Sequence, residues 1–65
     1  MEGHNLEMKL KAKRVEFGFT QKDIAEKLGI ATPTYIHKEN GNTPFNLDEV
    51  KKLLVIFDCH FEDIF

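Results

Sequence analysis

Few residues of this chain could carry out nucleophilic, acid–base or metal chemistry, and they are widely spaced. The only cysteine is Cys59, and the three histidines are His4, His37 and His60. No two histidines stand at the helical spacing that would turn both toward one metal ion. Cys59 follows a predicted helix directly, where a small apolar residue serves as core filler. The pattern therefore predicts no enzyme, no metal site and no cofactor.

Arg14 is the one charged residue on an otherwise apolar helix face. Leu10, Arg14 and Phe17 stand at helical spacing and share one side of the predicted first helix. A guanidinium that is buried there without a carboxylate partner costs several kcal/mol, because arginine keeps its charge at any ordinary pH. We therefore interpret Arg14 as one half of an internal ion pair and not as part of a catalytic dyad.

The first helix is expected over residues 6–17. The apolar residues at its start also alternate, a pattern that a strand could produce locally: Leu6, Met8 and Leu10. The lysines between them, and Gly18 after the segment, favour the helix. Residues 1–5 show no pattern and are expected to form a disordered tail, which leaves residues 6–65 as one domain.

The stretch around which the rest is organised runs from Gln21 to Gly41, and it predicts two short helices separated by Gly29. Thr20 is a suitable N-cap for the first, and Asp23 stands at the acidic position of a capping box. Gly29 ends this helix where a left-handed residue is favoured, a conformation that glycine adopts without strain. One face of the helix is apolar and consists of Ile24, Ala25 and Leu28.

The second of these helices is expected to begin at Thr32 and Pro33. Proline suits the first helical turn and disfavours helical geometry in the residue before it. Tyr35 is the inward residue, and Asn40 with Gly41 ends the helix. The outward face is expected to carry Thr32, Pro33, Ile36 and His37.

A fourth helix should follow, capped by Asn46 with Glu49 completing a capping box. Its core stripe is expected to consist of Leu47, Val50, Leu53, Leu54 and Phe57. Val55 and Ile56 fall outside this stripe and should be at least partly exposed. A short last helix over residues 61–65 should then fold two apolar side chains onto the core, those of Phe61 and Ile64.

Composition limits the class of protein. Sixty-five residues allow one domain with one small core, and a single cysteine allows no intrachain disulfide. No apolar run is long enough to span a bilayer and no signal peptide is visible, so a cytoplasmic protein is expected. The net charge of −2 does not favour nucleic acid. However, residues 9–45 carry seven Lys/Arg against four Asp/Glu, so the potential there is positive.

Taken in register, these motifs resemble the lambda-repressor-like, Cro-type helix-turn-helix family, often called XRE. The residues that carry the resemblance are Thr20-Gln21, Ala25, Leu28-Gly29-Ile30 and Glu39-Asn40-Gly41. The run from Thr34-Tyr35 to Lys38-Glu39-Asn40-Gly41 looks most like small phage or prophage members. The resemblance covers residues 6–65. It implies an all-α, compact five-helix lambda-repressor-like domain whose second motif helix enters the DNA major groove.

The resemblance also implies roles for particular residues. It pairs Arg14 with Glu39 at the end of the recognition helix. By analogy with the family, bases are read by Thr32, Pro33, Thr34, Ile36 and His37. The DNA backbone is contacted by Gln21, Lys38, Asn40, Asn42 and Thr43. A two-fold contact near the end of the domain would use Val55, Ile56 and Phe65.

Two functions are compatible with this sequence. The favoured one is a sequence-specific transcriptional regulator of double-stranded DNA. It is expected to be a repressor that binds a palindromic operator as a homodimer, and each subunit would contact the DNA through the helix at about 32–40. No small-molecule ligand and no membrane is expected. The alternative is a protein-interaction module on the same fold, antirepressor or antitoxin-like. Ile36 and the absence of arginine from the outward face favour this alternative, because arginine to guanine is the commonest specific base contact.

Overall fold

The computed structural model describes residues 4–65, with side chains described from residue 9 onward. Residues 4–65 form five helices: α1 (His4–Glu16), α2 (Gln21–Leu28), α3 (Thr32–Glu39), α4 (Leu47–Ile56) and α5 (Phe61–Ile64). The described residues contain no strand, so the all-α, five-helix prediction is confirmed. α1 begins two residues before the expected start and includes His4 and Asn5. Residues 1–3 of the predicted tail lie outside the described residues.

Two of the helices begin with the predicted capping boxes. The Asp23 amide donates to the Thr20 hydroxyl oxygen (3.0 Å), and the Thr20 amide donates to the Asp23 carboxylate (2.8 Å). Asn46 and Glu49 make the same reciprocal pair at the start of α4, at 2.8 and 3.0 Å. Each box satisfies amides that the helix itself leaves without partners, and this fixes where α2 and α4 start.

The turn between α2 and α3 depends on Gly29, whose φ of 75° places it in the left-handed region. The amides that follow return to carbonyls of the last turn of α2, Gly29 to Glu26 (3.1 Å) and Ile30 to Ala25 (3.0 Å). This closes the carbonyl end of α2 and redirects the chain within three residues into α3. The Ala25 side chain is fully buried, which allows the two helices to pack closely.

The core lies between all five helices. Its buried apolar residues are Leu10, Ile24, Ala25, Leu28, Tyr35, Leu53, Phe57 and Ile64. α2 and α3 make the most extensive contact between helices, and α5 packs against α1. Cys59 packs at the margin of the core, as the sequence predicts. α2 and α3 therefore pack together as one unit, and both helices contribute residues to the core.

Three apolar residues lie outside the core against expectation. Leu47 is the first residue of α4 and is 70% exposed, because the helix reaches the core only from its second turn. Phe17 follows the end of α1 and is half exposed, with its ring edge-on to Phe57 at 5.2 Å. Phe61 is also half exposed and stacks on Phe65 at 4.9 Å. In each case the residue stands at a helix end, where helical periodicity no longer sets its direction.

Candidate nucleic-acid interface

The inner side of α3 is held by a buried ion pair. Nε of Arg14 donates to Oε2 of Glu39 at 2.7 Å, and Nη2 donates to Oε1 at 3.4 Å. Nη1 of Arg14 also donates to the carbonyl oxygen of Phe19 at 2.9 Å. The predicted pair is therefore present, and it connects the end of α1 with the end of α3. Both side chains are almost inaccessible to solvent, so the pair is an internal strut and not a surface contact.

Two further donors complete the surroundings of Glu39. The Tyr35 hydroxyl donates to Oε2 and the Gln21 side-chain amide donates to Oε1, both at 2.9 Å. Burial of the carboxylate acts to raise the pKa of Glu39, but hydrogen bonds from Arg14, Gln21 and Tyr35 outweigh it, and the pKa lies below its usual value. We call these four residues the Glu39 network. It joins α1, α2 and α3 through one carboxylate.

The same network keeps Tyr35 neutral. Burial and the neighbouring charge of Glu39 raise the pKa of the Tyr35 phenol far above its ordinary value. A phenol that is protonated at every accessible pH is a permanent donor to Glu39. Tyr35 and Glu39 thus occupy the inner face of α3, one turn apart, and set the rotation of the helix about its axis.

The outer face of α3 has no such contacts. Pro33, Thr34 and His37 are exposed, while Thr32 and Ile36, one helical turn apart, are half-buried along the same edge of this face. Within the described part of the chain, none of these five side chains makes a hydrogen bond or an ion pair. The structure thus brings the five predicted base-reading residues together on one surface. Of the three polar residues among them, Thr34 and His37 are exposed and therefore accessible to a ligand.

The predicted backbone contacts flank that surface in two groups. Asn40, Asn42 and Thr43 are exposed in the turn after α3, where the Asn42 amide returns to the His37 carbonyl at 2.9 Å. Gln21 is half-buried at the first position of α2 and donates one N–H to Glu39. A primary amide has two N–H groups, so one remains for a phosphate. Gln21 is therefore the most exposed member of the Glu39 network.

Lys38 requires a correction. It was expected at the DNA backbone, but its Nζ donates to both carboxylate oxygens of Glu49, at 2.6 and 2.8 Å. The Lys38 side chain is 12% exposed and that of Glu49 is 6% exposed. This second buried ion pair links α3 to α4. An ammonium held in this way is not presented to a phosphate.

The residues predicted for a dimer contact do not form one surface. Val55 is 79% exposed on α4, and Ile56 beside it is half-buried. Phe65 instead belongs to an aromatic group at the C-terminus, with its ring 4.9 Å from Phe61 and 5.8 Å from Phe45. The structure therefore offers two apolar surfaces, one on α4 and one at α5.

Reactive or metal-binding groups are not brought together in the described residues. No cluster of histidine, cysteine and carboxylate side chains suited to a metal ion occurs there. Burial, with Asp63 nearby, raises the pKa of the Cys59 thiol, which disfavours the thiolate that a nucleophile requires. Among the helices described, none has the length and apolar character needed to cross a bilayer.

Known proteins resemble the chain over most of its length. Residues 10–64 match the model of a protein family described as helix-turn-helix. The chain belongs to this helix-turn-helix family. The family consists of DNA-binding proteins and not of enzymes, which agrees with the absence of a catalytic motif in the sequence.

Two archaeal relatives carry the same motif. A protein from Methanocaldococcus jannaschii named as an uncharacterized HTH-type transcriptional regulator is 39% identical over 57 residues, 88% of this chain and 86% of the relative. One from Archaeoglobus fulgidus with the same description is 31% identical over 52 residues, 80% of this chain and 74% of the relative. No solved structure matches the chain significantly.

Proposed function

We propose that the protein is a transcriptional regulator that binds double-stranded DNA sequence-specifically, with α3 in the major groove. The observation that carries this proposal is the division of α3 into two faces. The inner face contributes Tyr35 and Glu39 to the Glu39 network, whereas the outer face, of mixed polar and apolar residues, makes no side-chain hydrogen bond within the described residues. A recognition helix requires this division, because a fixed rotation decides which side chains reach the base edges. Family membership and the names of both relatives support the same function.

The residues on the outer face indicate the kind of site that α3 would read. The Thr32 hydroxyl can bond a base edge or a phosphate, whereas Pro33 and Ile36 offer only apolar contact, which suits thymine methyl groups. His37 is the longest polar side chain on the face and is directed to solvent. We expect it to donate to a guanine or to a phosphate. The expected operator thus has thymines opposite the start of α3.

The experiment for this assignment is a His37→Ala variant measured on operator and random DNA. Loss of a base contact should weaken operator binding by about 1–3 kcal/mol and random binding much less. An unchanged ratio of operator to random affinity would refute the role of His37.

Phosphate contacts are proposed for Gln21, Asn40, Asn42 and Thr43, on the two sides of the outer face. Such contacts position a protein on DNA without reading sequence. Replacing Asn42 with Ala should therefore weaken operator and random DNA by similar factors. Asn42 is preferred to Gln21 for this test, because Gln21 also belongs to the Glu39 network. A loss confined to the operator would place Asn42 among the base readers instead.

We propose further that the regulator represses as a homodimer on a palindromic operator. A two-fold pair of recognition helices would be about 34 Å apart, one DNA turn. The aromatic surface at α5 is the better contact of the two apolar surfaces. Phe61 is half exposed there and stacks on Phe65, whereas the three lysines beside the α4 surface would repel their copies across a two-fold axis. A Phe61→Glu variant should bind a full operator as a monomer. Sedimentation that shows two chains per operator for this variant would exclude α5 as the contact.

One observation favours the second candidate function, a protein-interaction module. The outer face of α3 has no arginine, and Lys38, the lysine closest to it in the chain, is buried against Glu49. Positive charge supplies most of the sequence-independent affinity for DNA. Electrophoretic mobility measured with the DNA upstream of the protein's own coding sequence distinguishes the two functions. Retardation at low salt that is lost at high salt supports the DNA regulator, and its absence at both favours the interaction module.

A further inference from the structure

An exposed surface on α4 has a composition that DNA binding does not explain. Val55 is the most exposed large apolar residue among those described, and Ile56 adjoins it. These two residues line a shallow concavity of about 330 Å³. The other residues that line it are Lys27, from the last turn of α2, and Lys51 and Lys52, from α4. We call these five residues the lysine-rimmed patch. It combines an apolar centre with cations contributed by two helices.

The positive charge of the patch is largely uncompensated. Within the described residues, no carboxylate lies within ion-pair distance of Lys27 or Lys51. Lys52 pairs with Asp48 at 3.3 Å, but both side chains are well exposed, and such pairs contribute little. Nζ of Lys27 lies 5.1 Å from the centre of the Phe19 ring, which holds the ammonium near the surface of α2. Asp23 interacts with Lys27 only at longer range, so a ligand with negative charge would compete with one exposed ion pair, that of Lys52 with Asp48.

The combination of charge and apolar area selects between possible occupants. A DNA backbone would use the lysines but would leave Val55 and Ile56 in contact with phosphates, which offer no apolar surface. A second copy of the chain, placed on the patch by a two-fold axis, would bring six lysines together, because the same patch contributes on both sides. An amphipathic helix with carboxylates beside its apolar face satisfies both parts of the patch.

We propose that the lysine-rimmed patch docks an acidic amphipathic helix of a partner protein. The patch shares no residue with the outer face of α3 or with the aromatic surface at α5. The proposal is therefore independent of the DNA-binding function, and its test measures binding at a different surface of the protein. It assigns Val55 as the apolar anchor and Lys27 and Lys51 as the cations that align the acidic helix.

The test is an NMR titration of the full, isotopically labelled chain with two synthetic peptides of about 16 residues, long enough to be helical when bound. Both peptides carry leucines on one face, one has glutamates on the flanks, and the other has lysines at the same positions. The acidic peptide should shift the amide signals of the lysine-rimmed patch, and its affinity should fall as ionic strength rises. The basic peptide should shift none of them.

Two variants identify the contact. Val55→Glu and Lys51→Glu should each weaken binding of the acidic peptide about tenfold, equivalent to about 1.4 kcal/mol. Lys22→Glu is the matched control, since it reverses the same charge at an exposed position on α2 outside the patch, and it should retain the affinity. Unchanged melting temperatures would show that these exposed changes leave the fold intact.

Four outcomes would overturn the proposal. The first is that neither peptide shifts the patch signals, and the second is that both peptides shift them equally. The third is that a random DNA duplex shifts them more strongly than the acidic peptide, which would make the patch a phosphate-contact surface. The fourth is that the same signals move on simple dilution of the chain, which would identify a second copy as the occupant.

Discussion

α2 and α3 are consecutive helices of eight residues each, yet they are held in place by different means. The two ends of α2 are set by residues next to them in the sequence. The Thr20–Asp23 capping box lies at its start, and Gly29 adopts the left-handed conformation at its end. The N-cap residue of α3, Ala31, makes no side-chain capping bond, and its C-cap residue, Asn40, has ordinary right-handed geometry. Its position depends on Glu39 and on partners supplied by other helices.

This difference separates local from tertiary control of structure. The limits of α2 follow from signals within a few residues, and such signals persist whatever the rest of the chain does. The orientation of α3 exists only when α1 and α2 are already packed, because Arg14 and Gln21 must reach Glu39. In exchange, no described side chain caps the start of α3 or forms a hydrogen bond with the residues of its outer face. The helix proposed to read DNA therefore has fewer local constraints than α2.

The largest expected effect comes from removing the tertiary anchor of α3. Glu39→Ala leaves Arg14 as a buried cation without a carboxylate and should destabilise the protein by about 3–5 kcal/mol. For a domain of this size, that is most of the stability or all of it. Thermal or urea unfolding followed by circular dichroism measures the change.

The matched control for this variant is Glu26→Ala. Glu26 is an exposed glutamate on α2 that makes no ion pair within the described residues. Surface substitutions of this kind usually change stability by less than about 0.5 kcal/mol. If the two variants unfold at the same denaturant concentration, the Glu39 network does not hold α3.

The pH dependence of stability should report on the same anchor. The folded-state pKa of Glu39 lies below its unfolded value, so its contribution is complete above the unfolded pKa and is lost as pH falls through the folded pKa. Glu39→Gln cannot titrate there. The stability difference between the native protein and this variant should be constant near neutral pH and should shrink on acidification toward about pH 3. A difference that is constant over the whole range would contradict the ionised pair.

An intermediate loss of stability is expected from a substitution at the C-terminal end of α2. Gly29→Ala places a Cβ in open space, with no atom within 4 Å, so its cost is conformational only. A non-glycine residue at this positive φ costs about 1–2 kcal/mol. Melting temperature measures the loss, and an unchanged value would mean that the turn can relax out of the left-handed region.

The smallest changes in stability are expected from variants at the N-caps of α2 and α3. Thr20→Ala removes an existing cap and should cost about 0.5–2 kcal/mol. Ala31→Ser supplies a missing cap at a residue that already has extended N-cap geometry (φ −69°, ψ 147°) and should stabilise by a similar amount. Chemical denaturation of both variants measures the pair. If Ala31→Ser gives no gain, the first turn of α3 is not limited by its cap.

The sequence predicts well what depends on neighbouring residues. Thr20, Asn46 and Gly29 identify helix ends through bonds that span three or four positions, and all three are found as expected. The Arg14–Glu39 pair spans 25 residues, and its partner is identified only by the family resemblance. Pair formation at that range depends on helix packing, which periodicity alone does not provide.

The sequence does not predict a second role for a residue that already has a local one. Glu49 is explained by its capping box, and nothing along the chain shows that it also accepts from Lys38, eleven residues away. This contact exists only when α3 and α4 are packed together, which helical periodicity does not predict. Phe65, which the linear pattern had grouped with Val55, instead has its ring against Phe45 and Phe61. Both errors arise from treating a helix as a stripe when its neighbours are not yet known.

The unbonded outer face of α3 also makes this domain a suitable scaffold for altered operator specificity. Thr32, Thr34 and His37 contribute no described side-chain bond to the fold, so they can be randomised together while Tyr35 and Glu39 stay fixed. Pro33 is best retained, because it supports the first helical turn. In such a library, nearly every member should fold, and selection would act on binding alone.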